Sequence, residues 1–389
     1  MLIPPSILFA VALLTLLIWV ILTFFRGSFW QLPQFDNDLS QHEALPAGPR
    51  VVAIVPARNE AETIARTVES LVRQVYDGEF RVIVVDDHSE DPTALLAETA
   101  AANSGAADRV TILSAAALPD GWTGKIWAMH QGVTKATELT PEFLWFTDAD
   151  IVHAPDTLVR LVSRAERQKL DLVSLMVLLQ ANSFAEKLLI PAFLYFFLKL
   201  YPPKWIANAK ARTAGAAGGC VLLRRTALER SGGFAVIRSE VIDDCALARA
   251  VKRSGGNIWM GLTRKSLSLR AYQTFSEIRD LIARTAFTQL HYSWLALLAT
   301  LLGMFLTYFA PVILAFSAQP VVWHLSLAAW ALMAFTYLPT VRFYGLSPLW
   351  APALPVAAAF YSYATCLSAV RYRFGKGGQW KGRSQAPKN

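Results

Sequence analysis

Cysteine is scarce in this chain: Cys220, Cys245 and Cys366 are the only three in 389 residues. Their spacing gives neither a paired metal-ligand pattern nor a disulfide framework, which excludes a small stapled scaffold and fits a reducing compartment. Charged residues are also few, at 17% of the chain, and they concentrate in its middle. No Walker-type loop and no Gly-x-Ser-x-Gly elbow is present, so phosphate-loop and nucleophile-elbow chemistries have no footing. His88, His130, His153 and His291 show no metal-ligand spacing, and His324 lies in an apolar stretch, so each is expected to be structural or interfacial. The net charge of +8 lacks the interleaved aromatics of a nucleic-acid binder, and no nucleic-acid partner is expected. Internal repeats and low-complexity tracts are missing as well.

What the chain has instead is apolar length. Hydrophobic residues make up 54% of it, with 12 Trp, and the mean hydropathy is +0.35. Residues 5–25 carry no charged side chain and are long enough, at about 1.5 Å per helical residue, to cross a bilayer. No basic region precedes the run and it is long for a signal core, so an uncleaved anchor is expected rather than a signal peptide. Three more stretches of this kind follow at 293–317, 321–344 and 349–370. Arg and Lys crowd the segment between the first and second stretches and the tail after Val370, which marks both as cytoplasmic by the positive-inside rule. The run at 188–205 is apolar but interrupted by Pro191 and Lys199; an interfacial helix is expected there, with a fifth span as the competing reading. The expected organisation is an anchor (1–27), a linker (28–49), a cytoplasmic catalytic domain (50–284), a membrane region (285–374) and a basic tail (375–389).

Between the greasy ends, apolar runs alternate with helix-period segments. VVAIVP (51–56) reads as a buried strand, and Ile64, Val68, Leu71, Val72 and Val75 follow at helical spacing. RVIVVDD, residues 110–113 and residues 143–147 read as further strands, an alternation that predicts a largely parallel, helix-covered α/β sheet. Ligands of such sheets collect beyond the carboxyl ends of the strands. PARNE, DDHSEDPT and TDADI fall at those places.

Asp148 and Asp150 follow the strand FLWFT, and two carboxylates at i, i+2 can reach a hard cation that bridges a diphosphate and neutralises its charge as it departs. Asp-x-Asp alone is common in solvated loops; its place after a buried strand gives it weight. In DDHSEDPT, Asp91 and Pro92 read as helix punctuation, N-cap and first helical residue. Asp86 and Asp87 do not: two acids abutting at a strand end repel unless donors satisfy them, and a carboxylate there can accept the imide hydrogen of a uracil ring. Lys125 follows Gly124, where a cation can approach phosphate; an exposed lysine at a helix start is the alternative. Asp243 and Asp244 open DDCALARAVKRSG, either as acids favoured by the helix dipole or with one as the general base for an acceptor hydroxyl.

Taken together these motifs resemble the family-two inverting glycosyltransferases of the GT-A fold. VVAIVPARNE is similar to the family's opening strand and nucleotide loop, VVDDHSEDPT to its uracil motif and TDAD to its metal motif. AGGCVLLRRTALERSGGF is similar to its acceptor-side loop, and IDDCAL to its Glu-Asp-x-x-Leu segment, with Asp243 in place of the Glu. The match covers roughly residues 50–284. GWTGK, IDDCALA, RTAFTQL and the WKGR tail resemble the bacterial hopanoid-biosynthesis-associated glycosyltransferases. The resemblance implies a Rossmann-like, nucleotide-sugar-binding domain flanked by transmembrane helices. It implies Pro56, Arg58, Glu60, Asp86, Asp87, Lys125 and Asp148 at the nucleotide sugar, and Asp148 and Asp150 at Mg or Mn. Gly218, Gly219, Asp243 and Arg284 would lie on the acceptor side, with Asp244 as catalytic base. Of the Gln-x-x-Arg-Trp motif of processive synthases only Arg284 remains, which favours a single transfer. The expected reaction is transfer from a UDP-sugar to a membrane lipid hydroxyl at the inner face of the cell inner membrane. The alternatives are a polyprenyl-phosphate glycosyltransferase and a catalytically silent membrane scaffold.

Overall fold

The computed structural model describes residues 4–37, 48–375, 379–380 and 383–384. The 38–47 part of the expected linker, and the tail apart from residue 375 and those two pairs, lie outside the described residues. The chain divides into a helical unit (Met1–Leu32, Ala181–Lys204, Tyr272–Gly378) and a sheet unit (Pro33–Gln180, Trp205–Ala271, Gln379–Asn389). This differs from the expected boundaries: 181–204 and 272–284, assigned by sequence to the catalytic domain, group with the helices.

In chain order the elements are α1 (Pro5–Phe25), β1 (Val51–Ala57), α2 (Ile64–Val72), β2 (Phe80–Asp86), α3 (Thr93–Asn103), β3 (Val110–Ser114) and α4 (Gly124–Ala136). Next come β4 (Phe143–Phe146), β5 (Ile151–His153), α5 (Thr157–Arg167), β6 (Leu172–Leu178), α6 (Phe184–Leu200) and α7 (Pro203–Ala207). Then follow β7 (Val221–Arg224), α8 (Arg225–Arg230), α9 (Asp243–Arg253), β8 (Ile258–Ser268), α10 (Phe275–Gln289), α11 (Trp294–Met304), α12 (Ala310–Leu314), α13 (Pro320–Phe343) and α14 (Leu354–Arg373), with short 3-10 turns between some of them and a two-residue strand pair, Gln379–Trp380 with Arg383–Ser384, after them.

The sheet unit is built on eight strands in the order β3-β2-β1-β4-β7-β6-β8-β5. The first four are parallel, as the sequence alternation predicts, and β1 and β4 are buried at every position because helices cover both faces. The other half is mixed. β7 runs antiparallel to both β4 and β6, and β5 antiparallel to β8, so "largely parallel" holds only for the amino-terminal half. α2 buries Ile64, Val68 and Leu71 on one face, but Val75, expected to continue that face, lies past the helix end and is 67% exposed. Within the sheet unit, the Phe35 carbonyl accepts from the fully buried Arg160 at 2.7 Å, and Asp36 accepts from Thr263 Oγ1 at 2.7 Å.

In the helical unit, Pro5–Phe25, Trp294–Leu314, Pro320–Phe343 and Pro348–Arg373 are long and apolar enough to cross a membrane. α6 is not among these four; it starts at Ser183, whose hydroxyl and Glu186 form a capping box, and it runs through Pro191 instead of breaking there. Between α11 and α12 lies a π turn, Phe305–Phe309. Pro311 has no N–H to offer the Thr307 carbonyl four residues back, and Trp19 Nε1 donates to that carbonyl instead, at 2.7 Å. Tyr195 bonds Thr336 Oγ1 at 2.8 Å, and Tyr361 donates to the Leu189 carbonyl at 3.0 Å, which explains why α6 groups with the late helices.

Candidate active site

β1 connects outward to β2 on one side and pairs with β4 on the other, so the chain changes direction across the sheet between β1 and β4. Such a switch point leaves a crevice beyond the strand ends, and the polar motifs open into it. The loops after β1 and β2 are zipped together. Asn59 N donates to Ser89 Oγ at 3.0 Å, Glu90 N to Asn59 Oδ1 at 2.8 Å, and Glu60 N to Thr93 Oγ1 at 2.8 Å. Asn59 and His88 hold φ of 50° and 53°, left-handed conformations that non-glycine residues keep only where surrounding bonds fix them.

Arg58, expected beside the nucleoside, is 8% exposed and donates through Nη1 to the carbonyls of Asp87 and His88, so its guanidinium shapes the second loop. Asp86 accepts from both N and Oγ of Ser89, and Asp87 is fully buried. Asp91 accepts from Thr93 N at 3.1 Å, as a cap does, while the helix itself starts at Thr93 with Pro92 just before it. The other oxygen of Asp91 accepts from Ala61 N at 3.1 Å, a second tie between the two loops.

Beyond β4 a small cavity is lined by Pro56, Lys125, Asp148, Gly218, Asp243 and Asp244 among others. Lys125 opens α4 and reaches Asp148 Oδ1 at 2.8 Å and Asp243 Oδ2 at 3.4 Å; it is not the exposed helix-start lysine of the alternative reading. Burial lowers the pKa of this ammonium, but Asp148, Asp243 and Asp244 together raise it well above the lysine range, so it stays charged. Asp243 and Asp244 form the first turn of α9, so the helix-dipole reading and the site reading apply to the same residues. Asp244 Oδ2 accepts from Gly218 N at 2.9 Å and Oδ1 from Cys245 N at 2.7 Å. Burial, then Asp243, push its carboxyl up to about 6 against the pull of Lys125. A Cβ on Gly218 would stand 3.3 Å from Lys125 Nζ and 3.5 Å from Asp244 Oδ2, so glycine leaves the room in which these two groups meet. Gly219 packs on Val177 and its carbonyl accepts from Thr147 Oγ1 at 3.0 Å.

Asp150 lies elsewhere in the site. Its Oδ2 accepts from Arg270 Nε at 3.1 Å, and Arg270 Nη2 reaches both carboxylate oxygens of Glu60, at 2.9 and 3.1 Å. Glu60, expected near the nucleoside, therefore points its carboxylate at this guanidinium. Burial and then Asp148 raise the Asp150 pKa more than Arg270 lowers it. Among the described residues no three His, Cys, Asp or Glu side chains converge as a metal-holding group. The donor chemistry does fit a hard cation: Asp148 and Asp150 offer carboxylate oxygens, and they would hold Mg or Mn. Bound there, the ion would neutralise charge on a leaving diphosphate.

Arg284 belongs to α10 of the helical unit. His153 is buried between Thr147 Oγ1 and Ser266 Oγ, each at 2.8 Å, and burial holds its pKa down near 3, so it stays neutral. His130 packs at a tilt against Trp122 and Trp127, with ring centroids 5.0 and 5.4 Å away. Sequence reasoning missed Arg270. It stands two residues past the end of β8, and the only available signal was a lone cation after a long strand.

Residues 52–232 match the family model described as Glycosyl transferase family 2, so the chain carries a glycosyltransferase domain over that range and the protein is a glycosyltransferase. No curated protein sequence matches the chain. Among solved structures it is similar to the mannosyltransferase PcManGT from Pyrobaculum calidifontis, in complex with GDP-Man and Mn2+, at 18% identity and TM-score 0.51, over 92% of this chain and 99% of that one. That likeness shows a shared GT-A fold. TarS from S. aureus matches at 16% identity and TM-score 0.42, over 83% of this chain and 55% of that one. Glucosyl-3-phosphoglycerate synthase from Mycobacterium tuberculosis, in complex with Mn2+ and UDP-glucose, matches at 18% and 0.36, over 62% and 79%.

Proposed function

We propose that this glycosyltransferase transfers a sugar, in one inverting displacement, from a UDP-sugar held with Mg or Mn to the hydroxyl of a membrane lipid. The observation that carries the reading is the shared cavity at the β1–β4 switch point, where the candidate base Asp244 stands with Lys125 and the Asp148 of the metal motif. In this reading Asp244 takes the acceptor proton, Lys125 holds Asp148 and Asp243 in register, and Asp148 and Asp150 carry the metal. Pro56, Arg58, Glu60, Asp86 and Asp87 form the wall and loops of the nucleoside site. Gly218, Gly219 and Asp243 line the acceptor side; Arg284, in the other unit, is assigned there by sequence pattern alone.

The choice of UDP rests on the paired Asp86 and Asp87 at the end of β2, suited to an imide hydrogen. PcManGT is a complex with GDP-Man, so GDP-sugars are the donors to test against it. A lipid acceptor is supported by the four helices apolar enough to span a bilayer, and a hopanoid-type polycyclic alcohol by the GWTGK, IDDCALA and RTAFTQL runs. Mass spectrometry of membrane lipids from cells with and without the protein tests this. A glycolipid present only with the protein is expected, and its structure names sugar and acceptor; accumulation of a sugar-linked polyprenyl phosphate instead would shift the reading to that alternative.

Membrane sidedness gives a further expectation. With the catalytic unit cytoplasmic, three complete late spans would put the basic tail outside, against the positive-inside rule. The charge rule is taken to prevail, with the Pro-rich start of the last candidate span, which forms a 3-10 turn over Pro348–Ala353, failing to cross fully. A Ser384→Cys variant in intact cells is expected to resist an impermeant thiol reagent until the membrane is opened; ready labelling of intact cells would place the tail outside.

A further inference from the structure

Arg270 is held at the metal motif by its backbone before its side chain is considered. β5 pairs Ile151 with Ser268, Leu269 N donates to the Asp150 carbonyl at 2.7 Å, and Gln180 Nε2 donates to the Ser268 and Leu269 carbonyls at 3.3 and 2.8 Å. The strand register therefore delivers the guanidinium to the turn that carries Asp150. There it bonds Asp150 and Glu60, whose side chains keep only 14% and 13% exposure while its own keeps 35%, so the carboxylates are shielded and the guanidinium is partly open to solvent. A cation lying on Asp150 Oδ2 satisfies the charge that a divalent ion would seek, and two cations at one carboxylate repel each other.

We propose that Arg270 is a built-in competitor of the metal: it lies on Asp150 Oδ2 and must leave that carboxylate when the divalent ion enters. Metal affinity is then set by an exchange of cations, and the site is kept from binding metal tightly before the nucleotide sugar arrives. The inference rests on reading Asp150 as a metal ligand. Arg270 is a positioning residue in this account, acting through Asp150 and Glu60.

The test is calorimetric titration of Mn2+ into the full-length protein in detergent without donor, with melting temperatures measured on the same preparations. Arg270→Gln is expected to bind Mn2+ about tenfold more tightly than wild type, the worth of one charge-assisted contact. Arg270→Lys, which keeps the charge but loses the fork, is expected to fall between the two and serves if the glutamine variant does not fold. Unchanged or weaker Mn2+ binding in a folded Arg270 variant overturns the competition, the weaker result making Arg270 a support of the metal. Asp150→Ala separates the two readings: if wild-type Mn2+ binding survives that change, the metal assignment falls and this inference with it.

Discussion

Asp244→Asn is expected to lower turnover by about a hundred- to ten-thousand-fold, the usual contribution of a general base, while binding of the donor stays nearly unchanged. A lipid hydroxyl has a pKa far above neutrality, so it attacks an anomeric carbon well only if its proton leaves as the bond forms. The amide keeps the shape of the side chain and can still accept from Gly218 N, but it cannot take that proton. Wild-type turnover is expected to fall as pH drops through about 6, because the base must be ionised and burial has raised its pKa to that value. The sign for stability is opposite to that of an acid that merely favours its helix. A carboxyl raised in the fold above its ordinary value binds protons more tightly when folded, so the folded state gains stability as pH falls from about 6 toward the unfolded value. At neutral pH the ionised group is a net cost, and Asp244→Asn is expected to melt no lower than wild type. A variant that melts lower and turns over normally would leave Asp244 with only a helix-dipole role and take it out of the mechanism.

Asp150→Ala is expected to abolish transfer and to weaken donor binding together, which distinguishes it from Asp244→Asn. Asp150 is 14% exposed and its carboxylate meets Arg270. It packs no core, so the fold is expected to survive with Arg270 still bound to Glu60. Turnover assays with added Mg or Mn, and with a chelator, check this. Full activity of the alanine variant in the presence of chelator would show that charge on the leaving diphosphate is met by the chain's own cations.

The parts of the fold that sequence made legible are those whose information is local. The runs at 51–56 and 143–147 are largely apolar stretches followed by polar motifs, ARNE after the first and DAD after the second, and they become β1 and β4. DDCALARAVKR has helical spacing and acids at its start, and it becomes α9. The antiparallel β7 was not legible, because VLLR is four residues long and nothing in it states which neighbour it pairs with. In the site, individual carboxylates could be picked out, but their partners could not. Lys125 bridges residues 23 and 118 positions further along the chain, and the Arg270 contact with Glu60 spans 210, separations that no motif encodes. Arg58 shows the converse: a residue picked out by its motif whose cation turns to the backbone of the neighbouring loop, at Asp87 and His88.

α6 lies in the middle of the sequence that forms the sheet unit, yet its Leu189 carbonyl is bonded by Tyr361, 172 residues later. At synthesis rates of about 5–20 residues per second, that partner leaves the ribosome some 9 to 34 s after α6 does. For most of that interval an apolar helix, already capped by Ser183 and Glu186, has neither Thr336, which follows Tyr195 by 141 residues, nor Tyr361 to bond. The order of synthesis thus asks for something to shelter α6 in the meantime. A fragment ending at residue 284 would make that wait permanent.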